Sequence, residues 1–366
     1  MLLRISVRVP RIPPFAFFST LQAPSLTSYL TDVWGLSPAA AIAASSKLSS
    51  ISDWSRVSTK SNPDSVLAFF RSHGFTPSQI TKLISRYPRF LLSDPARTLK
   101  PKMDFYLRSG FSPSTITKLI SSNVDLLRSS LKKRIIPSFD FLKTILHTDE
   151  HVVAAVKRST WVFHVNLGKK MAPNIDTLHR IGVPTANIAK LAKTHPSVLM
   201  QSSGRFGESL ERVLRMGHCP GDAMFIIALH SVSAISVATL KRKLEVYKSF
   251  GLPEDKIVSR VKQKPMIVNL SEDNIRKSFG FFMEKLKWAP DFVFSSPVLL
   301  TLSLEKRVAP RVSVYEILVS KNLWGEKPIV PRFFFLSDEK FSKRYLLSFQ
   351  NECPEVLETY MAMRRE

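Results

Sequence analysis

Residues 74–85 read Gly-Phe-Thr-Pro-Ser-Gln-Ile-Thr-Lys-Leu-Ile-Ser, and residues 110–121 read Gly-Phe-Ser-Pro-Ser-Thr-Ile-Thr-Lys-Leu-Ile-Ser. The two stretches begin 36 residues apart and differ at only two of their twelve positions. Self-similarity at a fixed period of this length is the signature of a solenoid, in which supersecondary units stack on their neighbours.

Weaker copies of the same pattern follow along the chain. Three of them begin at further glycines, Gly182, Gly217 and Gly251. A copy without its glycine begins near Thr148, and a shortened seventh copy runs from about Met283 through Pro310. The sequence therefore predicts about seven or eight repeats of about 36 residues.

Each repeat reads locally as two helices joined by a turn. Gly110 suits the left-handed residue that ends a helix, and Ser112 suits the N-cap of the next helix. Ile116, Leu119 and Ile120 have the i, i+3, i+4 spacing of one buried helix face. A proline fourteen residues after the repeat start, such as Pro88, breaks that helix, and a second apolar helix follows. No alternating β pattern recurs, so the predicted fold is an all-α solenoid.

The repeat gives the positive charge of the chain a regular position. Six positions at a spacing of 36 residues are all cationic, namely Arg97, Lys133, Lys169, Arg205, Lys241 and Lys277. In the last repeat Lys306 and Arg307 occupy the equivalent place, and Arg134, Lys170, Arg242 and Lys243 are adjacent cations. We call these residues the basic row.

The basic row is predicted to face solvent and to bind phosphates. Its first three members each precede by two residues the apolar position that opens the second helix, which is about 200° of helical rotation. A cation close to a helix N-terminus is disfavoured by the macrodipole, and phosphates would offset that cost. The alternative is a solvated face that only keeps a basic solenoid in solution. Tyr87, Trp161, Phe225 and Trp288 are candidates for stacking on bases, although most aromatic residues of a solenoid belong to its core.

Composition limits the class of protein. The 53 Lys and Arg residues outnumber the 29 Asp and Glu residues, so the net charge is +24, which favours a polyanionic partner. Apolar residues make up 44% of the chain, enough for a large core. The two cysteines, Cys219 and Cys353, are too few for a disulfide framework or a cysteine-rich zinc site.

The N-terminus has the composition of an organellar targeting segment. Residues 1–31 contain no acid but carry Arg4, Arg8 and Arg11. Arginine-bearing, acid-poor and serine-containing starts are typical of transit peptides. We expect a transit peptide over residues 1–27, directing the chain to the mitochondrion, with the chloroplast as the alternative.

No membrane-spanning segment is expected. Residues 223–240 lack charge, but they contain His230 and several hydroxyl residues and lie in register with the repeat. We interpret them as a buried pair of helices.

No enzyme is expected either. The chain lacks a phosphate-binding P-loop, a dinucleotide-binding glycine motif, a nucleophile elbow and an H-E-x-x-H motif. His147, Asp149 and His151 lie close in sequence but at a helix junction, where solvated residues are the simpler interpretation. We predict no catalytic residues, no metal and no cofactor.

These motifs resemble those of a known family. The Gly-Phe-[Thr/Ser]-Pro-Ser unit, the turn at Pro88–Leu92 and the Leu99–Phe105 helix are similar to repeats of the mitochondrial transcription termination factor (mTERF) family. The stretches 29–38 and 62–67 are similar to its land-plant branch. The resemblance covers roughly residues 28–345 and implies a right-handed superhelix that binds nucleic acid in an organelle. Two places depart from the pattern, because Thr160-Trp161 and Ser231 stand where proline is expected.

The sequence leaves several functions open. The first hypothesis is a monomer that binds double-stranded DNA in the mitochondrion and controls transcription termination or initiation. The second is a factor that binds structured RNA for intron splicing or ribosome assembly, and organellar transcription or splicing proteins would be its partners. The third is a scaffold that binds only proteins. The predicted organisation is a solenoid over residues 28–345 and a tail, residues 346–366, whose glutamates suggest an end cap or a contact for a protein partner.

Overall fold

The computed structural model describes residues 26–49, 63–325 and 328–364, which form helices and connecting turns with no β-strand among them. The predicted all-α helical repeat solenoid is confirmed. The predicted targeting segment, residues 1–27, lies outside the described residues except for Leu26 and Thr27, which begin a helix. The chain divides into two compact units, unit 1 (residues 1–168) and unit 2 (residues 169–366).

Unit 1 consists of helix pairs joined by short turns. Its α-helices are Leu26–Asp32, Pro38–Ser49, Pro63–Ser72, Pro77–Arg86, Lys100–Arg108, Pro113–Ser122, Asp125–Arg128, Ile136–Leu146 and Asp149–Arg158. Its 3-10 turns are Pro88–Leu92 and Thr160–Phe163, and its π-turns are Pro95–Leu99 and Leu131–Ile135. The short helix Leu167–Lys170 crosses the boundary at residue 168.

Unit 2 continues the same pattern. Its α-helices are Ala172–Arg180, Thr185–Thr194, Pro196–Leu199, Ser203–Arg215, Ala223–Ser233, Val237–Lys248, Glu254–Gln263, Glu272–Lys285, Pro290–Ser295, Ala309–Ser320, Arg332–Phe335, Asp338–Phe341 and Glu355–Met363. Its 3-10 turns are Pro265–Asn269, Pro297–Thr301 and Leu347–Phe349, and its π-turns are Leu304–Val308 and Ser342–Leu346. We number the repeats 1 to 7 by their first helices, which begin at Pro77, Pro113, Asp149, Thr185, Ala223, Glu254 and Pro290.

The predicted caps define the repeat boundaries. Thr76 and Gln79 form a reciprocal capping box, in which each backbone N–H donates to the other side chain. Gly110 has φ +87°, and the N–H of Phe111 bonds back to the carbonyl of Tyr106. Where repeat 3 lacks a glycine, His147 takes the left-handed conformation instead, with φ +69°. The boundary geometry therefore survives the loss of its preferred residue.

The buried side of each repeat is the predicted apolar stripe. Ile116 and Ile120 on the first helix of repeat 2 are buried, as are Ile135, Phe139 and Leu142 at its second helix. In unit 2 one continuous core runs from Val246 to Tyr360. Stacked stripes of this kind stabilise a repeat only through its neighbours.

The two sequence departures have different outcomes. Repeat 3 forms the 3-10 turn Thr160–Phe163 without its proline, with Val162 and Phe163 buried. In repeat 5 no separate turn forms, because the helix Ala223–Ser233 runs through the position where the other repeats turn. Repeat 2 also lacks the proline, because Val124 stands at that position, and its chain still breaks between the helices Pro113–Ser122 and Asp125–Arg128. Of these three repeats, only repeat 5 has no break at that position.

The predicted C-terminal tail packs on the last repeat. Leu346, Cys353, Val356 and Tyr360 belong to the same core as repeats 6 and 7. The helix Glu355–Met363 lies against Ala309–Ser320. The tail thus covers the apolar end of the array, as a capping element does.

No single helix among the described residues is long and apolar enough to cross a membrane. The pair Ala223–Ser233 and Val237–Lys248 would pass such a test only together, and the two helices are bent by 103° at their junction. Phe225, Ala228 and Leu229 of the first helix are fully buried within the protein.

Candidate nucleic-acid interface

Three cations of the basic row share the same local geometry, each at the start of the second helix of its repeat. The N–H of Arg97 donates to Oδ1 of Asp94 at 3.2 Å. The N–H of Lys133 donates to Oγ of Ser130 at 3.2 Å, and that of Lys306 to Oγ of Ser303 at 3.1 Å. All three side chains are exposed. We call this arrangement, an N-cap residue followed three residues later by an exposed cation, a basic corner.

A π-turn sets the direction of these corners. The turns Pro95–Leu99, Leu131–Ile135 and Leu304–Val308 place five steps between the cap and the first buried residue of the helix. The cation therefore precedes the buried Leu99, Ile135 or Val308 by two residues. Two residues correspond to about 200° of rotation, so the cation points away from the core.

Repeats 3 and 4 continue the cationic pattern. Lys169 and Lys170 are exposed on the short helix Leu167–Lys170, and Met171 behind them is fully buried. Arg205 is exposed three residues after the N-cap Ser202, but it directly precedes the buried Phe206. The helix of repeat 4 has no π-turn, which removes one residue between cap and core.

The fixed spacing of 36 residues fails in repeats 5 and 6. Lys241 lies five residues after its cap Ser236, and Lys277 lies six residues after its cap Ser271. Both side chains are exposed, but they do not occupy the corner. The interpretation of these two lysines as equivalent to Lys133 is therefore wrong.

Shortened repeats cause this drift. Ser236 follows Ser202 by 34 residues, and Ser271 follows Ser236 by 35. The true corner positions are Thr239 and Asn274, whose N–H groups each donate to the cap serine at 3.1 Å. The corner is consequently uncharged in repeats 5 and 6.

Neighbouring cations of the basic row differ in their surroundings. Arg134 is half-buried, whereas Arg242 pairs with Glu272 at 3.1 Å and Arg307 pairs with Asp338 at 3.3 Å. Lys243 does not belong to the surface at all, because it is buried and its Nζ donates to the carbonyl of Val268 at 2.7 Å. Burial lowers the pKa of Lys243. Its inclusion in the basic row is therefore wrong.

A further corner lies at Lys340, where the spacing of 36 residues does not predict one. The N–H of Lys340 donates to Oγ of Ser337 at 3.2 Å, and its side chain is exposed. A step of 36 residues from Lys306 passes over this residue. The signal that could have found it is local, because Ser337-Asp-Glu-Lys340 repeats the pattern of Ser303-Leu-Glu-Lys306.

Side-chain donors on second helices fix the turn that precedes the next cap. Four side chains on second helices donate to the backbone carbonyl that stands three residues before the next cap. The pairs are Lys102 with Leu127, Asn174 with Leu199, Lys243 with Val268 and Arg311 with Phe334. The same register position carries Lys, Asn, Lys and Arg in repeats 1, 3, 5 and 7. We call these residues the turn donors.

The candidate stacking residues are mostly unavailable. Phe225 is fully buried, and Trp288 stacks on Phe282 with ring centroids 5.4 Å apart. Tyr87 is half-buried. Trp161 alone of the four is widely open, with 64% of its surface exposed.

No group of three or more His, Cys, Asp or Glu side chains within the described ranges could hold a metal ion. Near the junction singled out in the sequence, Asp149 pairs with Lys143 at 2.8 Å and Nδ1 of His151 faces the carbonyl of Leu146.

Comparison with known proteins identifies a family. The family model described as mTERF matches residues 67–279 and again residues 231–342, which together exceed half of the chain. A search of curated proteins finds no match.

Proposed function

The chain belongs to the mTERF family, and we propose that it binds nucleic acid in an organelle through the basic corners of its repeats. The observation that carries this proposal is the recurrence of an exposed cation three residues after the N-cap, at Arg97, Lys133, Arg205, Lys306 and Lys340. An exposed cation contributes nothing to packing of the core, whereas it attracts a phosphate. The protein then acts as a binding factor and not as an enzyme.

The corner suits a phosphate in two ways. The first backbone N–H groups of a helix are free of helical partners and carry partial positive charge. At every corner except that of Arg205, the cap side chain accepts a hydrogen bond from one of those N–H groups. At all five corners the nearby Lys or Arg adds a full positive charge. Within each unit more than one corner is present, which suits a polymer of regularly spaced phosphates.

We propose more specifically that the target is double-stranded DNA of the mitochondrion. Binding would then affect transcription termination or initiation. The acid-free start with three arginines supports import into that organelle. Structured RNA is the second candidate, and the exposed Trp161 favours it because bases of single strands stack on aromatic rings. Deleting residues 1–27 should abolish import into isolated mitochondria.

A salt titration tests the role of the corners. The variant with Arg97→Gln, Lys133→Gln and Arg205→Gln should bind a duplex with a log–log salt slope flatter by about 2.7, since each phosphate contact contributes about 0.9. The charge-matched control carries Lys264→Gln, Lys285→Gln and Lys287→Gln, which are exposed positions outside the corners. A corner variant that keeps the wild-type slope would refute the proposal.

A further inference from the structure

Trp161 is the most exposed large apolar side chain among the described residues, at 64%. It lies in the turn Thr160–Phe163 of repeat 3, between the buried Val162 and Phe163 on one side and the helix Asp149–Arg158 on the other. The same position of repeats 1, 2 and 4 carries Arg89, Asp125 and Ser197. An indole at this exposed position is not stabilised by burial in the core of the repeat. A single exposed apolar residue is nevertheless common on protein surfaces and needs no explanation by itself.

The surroundings of Trp161 distinguish it from an isolated surface residue. The ring of His164 lies under the indole, with centroids 4.5 Å apart and planes tilted by 36°. Nε2 of His164 is held by Oδ2 of Asp125 at 3.0 Å, and Asp125 also pairs with Arg128. The guanidinium of Arg128 lies over the ring of Tyr87, 5.8 Å from its centroid.

These residues form one connected strip along the turns of repeats 1, 2 and 3. We call it the turn strip and define it as Tyr87, Asp125, Arg128, Trp161 and His164. Its only carboxylate, Asp125, is occupied by two partners. Two of its side chains end in planar groups and reach solvent, because the side chain of Arg128 is 54% exposed and Trp161 is 64% exposed.

Positive charge flanks the strip. Lys157 and Arg158 are exposed at the end of the helix Asp149–Arg158, four and three residues before Trp161, respectively. Along the chain, the corner cation Lys133 follows Arg128 by five residues. A polyanion with planar groups between its charges fits this order of cation, ring and cation.

We propose that the turn strip binds unpaired nucleotides, with a nucleobase stacked on Trp161 and the adjoining phosphates held by Lys157 and Arg158. This inference rests on the proposed function and adds to it a second mode of binding, to single-stranded segments of a target. Indole and guanidinium planes stack on any base, so the strip contributes affinity with little sequence preference. Single-stranded RNA and single-stranded DNA share this chemistry.

Fluorescence and affinity measurements on the full chain test the stacking. Of the five tryptophans, Trp161 is exposed and Trp34 is buried, so the emission lost in a Trp161→Phe variant reports on this site. Twenty-nucleotide oligo(U) and oligo(dT) should each quench that emission on binding. Trp161→Ala should weaken binding of the single strands about tenfold, in the range that stacking of one base provides. The Trp161→Phe variant should recover most of the affinity.

A duplex of the same length supplies the control. Its affinity and salt slope should be unchanged in Trp161→Ala, because the corners and not the strip would hold it. Phe292→Ala, at another exposed aromatic residue, should leave every affinity at the wild-type value. The ratio of oligo(U) to oligo(dT) affinity then tells RNA from DNA as the source of the single strand.

The outcomes separate the two proposals. If the wild type binds duplex with a steep salt dependence but Trp161→Ala binds single strands as tightly as the wild type, only the turn-strip proposal is overturned. If no nucleic acid binds, the proposed function fails as well. Quenching by oligonucleotides that persists in Trp161→Phe would place the stacked base on another tryptophan and would also overturn the inference.

Discussion

At the scale of single residues, one register position on the second helices alternates between a long donor and a serine. The turn donors Lys102, Asn174, Lys243 and Arg311 stand in the odd repeats, whereas the even repeats carry Ser138, Ser209 and Ser278 at the same register. All three serines are buried. A long donor reaches the carbonyl of the next turn and satisfies it, which a buried carbonyl requires. In repeats 1 and 5 the donor is a lysine whose ammonium group donates to a backbone carbonyl, half-buried at Lys102 and buried at Lys243.

The neutral turn donor offers the simplest mutational test. Nδ2 of Asn174 donates to the carbonyls of Leu199 and Gln201, at 2.9 Å each, and the residue is 1% exposed. Asn174→Ala should lower the free energy of unfolding by about 2–4 kcal/mol, because two carbonyls lose their donor and a small cavity remains. Urea denaturation of the full chain measures it. Asp176→Ala, at an exposed site on the same helix, should change it by less than about 0.5 kcal/mol.

A second residue-scale prediction concerns the stability of the protein at acidic pH. The ring centroids of His195 in repeat 4 and His230 in repeat 5 lie 3.4 Å apart. Burial, followed by the charge of His195, lowers the pKa of His230 to about 4. An unfolded histidine titrates near 6.5, so the unfolded chain binds more protons between these two values. The stability contributed by neutral His230 is complete above pH 6.5 and is lost as the pH falls toward 4.

The midpoint of thermal unfolding should therefore drop by about 3 °C or more between pH 7.5 and pH 5 in the wild type. His230→Gln should remove most of that difference, because the variant has no proton to gain. His179→Gln, at an exposed histidine, should keep the wild-type difference. An equal pH dependence in all three proteins would contradict the assignment to His230.

At the scale of elements, the sequence predicted the helix starts better than their internal turns. Thr76, Ser112 and Gly110 act as the local rules for caps require, because a cap depends on a few adjacent residues. The π-turn Leu131–Ile135 could not be read from the sequence, since its residues also suit an ordinary α-helix. That single extra residue decides whether the corner cation stands two residues or one before the core.

Two glycines of different geometry test the cap assignment. Gly110→Ala should destabilise the protein by about 1–2 kcal/mol, because φ is +87° there and a Cβ opposes the left-handed region even with no neighbour in contact. Gly207→Ala, inside the helix Ser203–Arg215, should stabilise it by up to about 1 kcal/mol. Chemical denaturation measures both. Equal effects at the two positions would show that Gly110 is not a left-handed cap.

At the scale of the whole molecule, the repeat was predicted and its exact period was not. A spacing of 36 residues is correct from Asp94 to Ser202 but accumulates an error of three residues by Ser271. In repeat 5 the helix Ala223–Ser233 replaces the turn, and the next cap, Ser236, comes two residues earlier than a spacing of 36 predicts. Surface positions inferred from a constant period are thus reliable only near the repeats that define it.

The drift of the repeat yields the most discriminating prediction about binding. Arg97 and Lys133 are corner cations, whereas Lys241 and Lys277 are equally exposed lysines at the same nominal spacing but outside the corner. Arg97→Gln with Lys133→Gln should flatten the log–log salt slope on duplex DNA by about 1.8, since each lost phosphate contact removes about 0.9.

The matched double variant, Lys241→Gln with Lys277→Gln, removes the same charge. It should change the salt slope by much less than the value of about 0.9 that one phosphate contact contributes. It should still weaken binding slightly at low salt, because the long-range field of the protein is reduced by two charges. Fluorescence anisotropy between about 50 and 200 mM salt, where such slopes are well determined, distinguishes the two variants. If both double variants flatten the salt slope equally, phosphates contact the cations at the constant spacing of the sequence and not the corners. If neither variant changes the slope, the binding surface does not include the second helices.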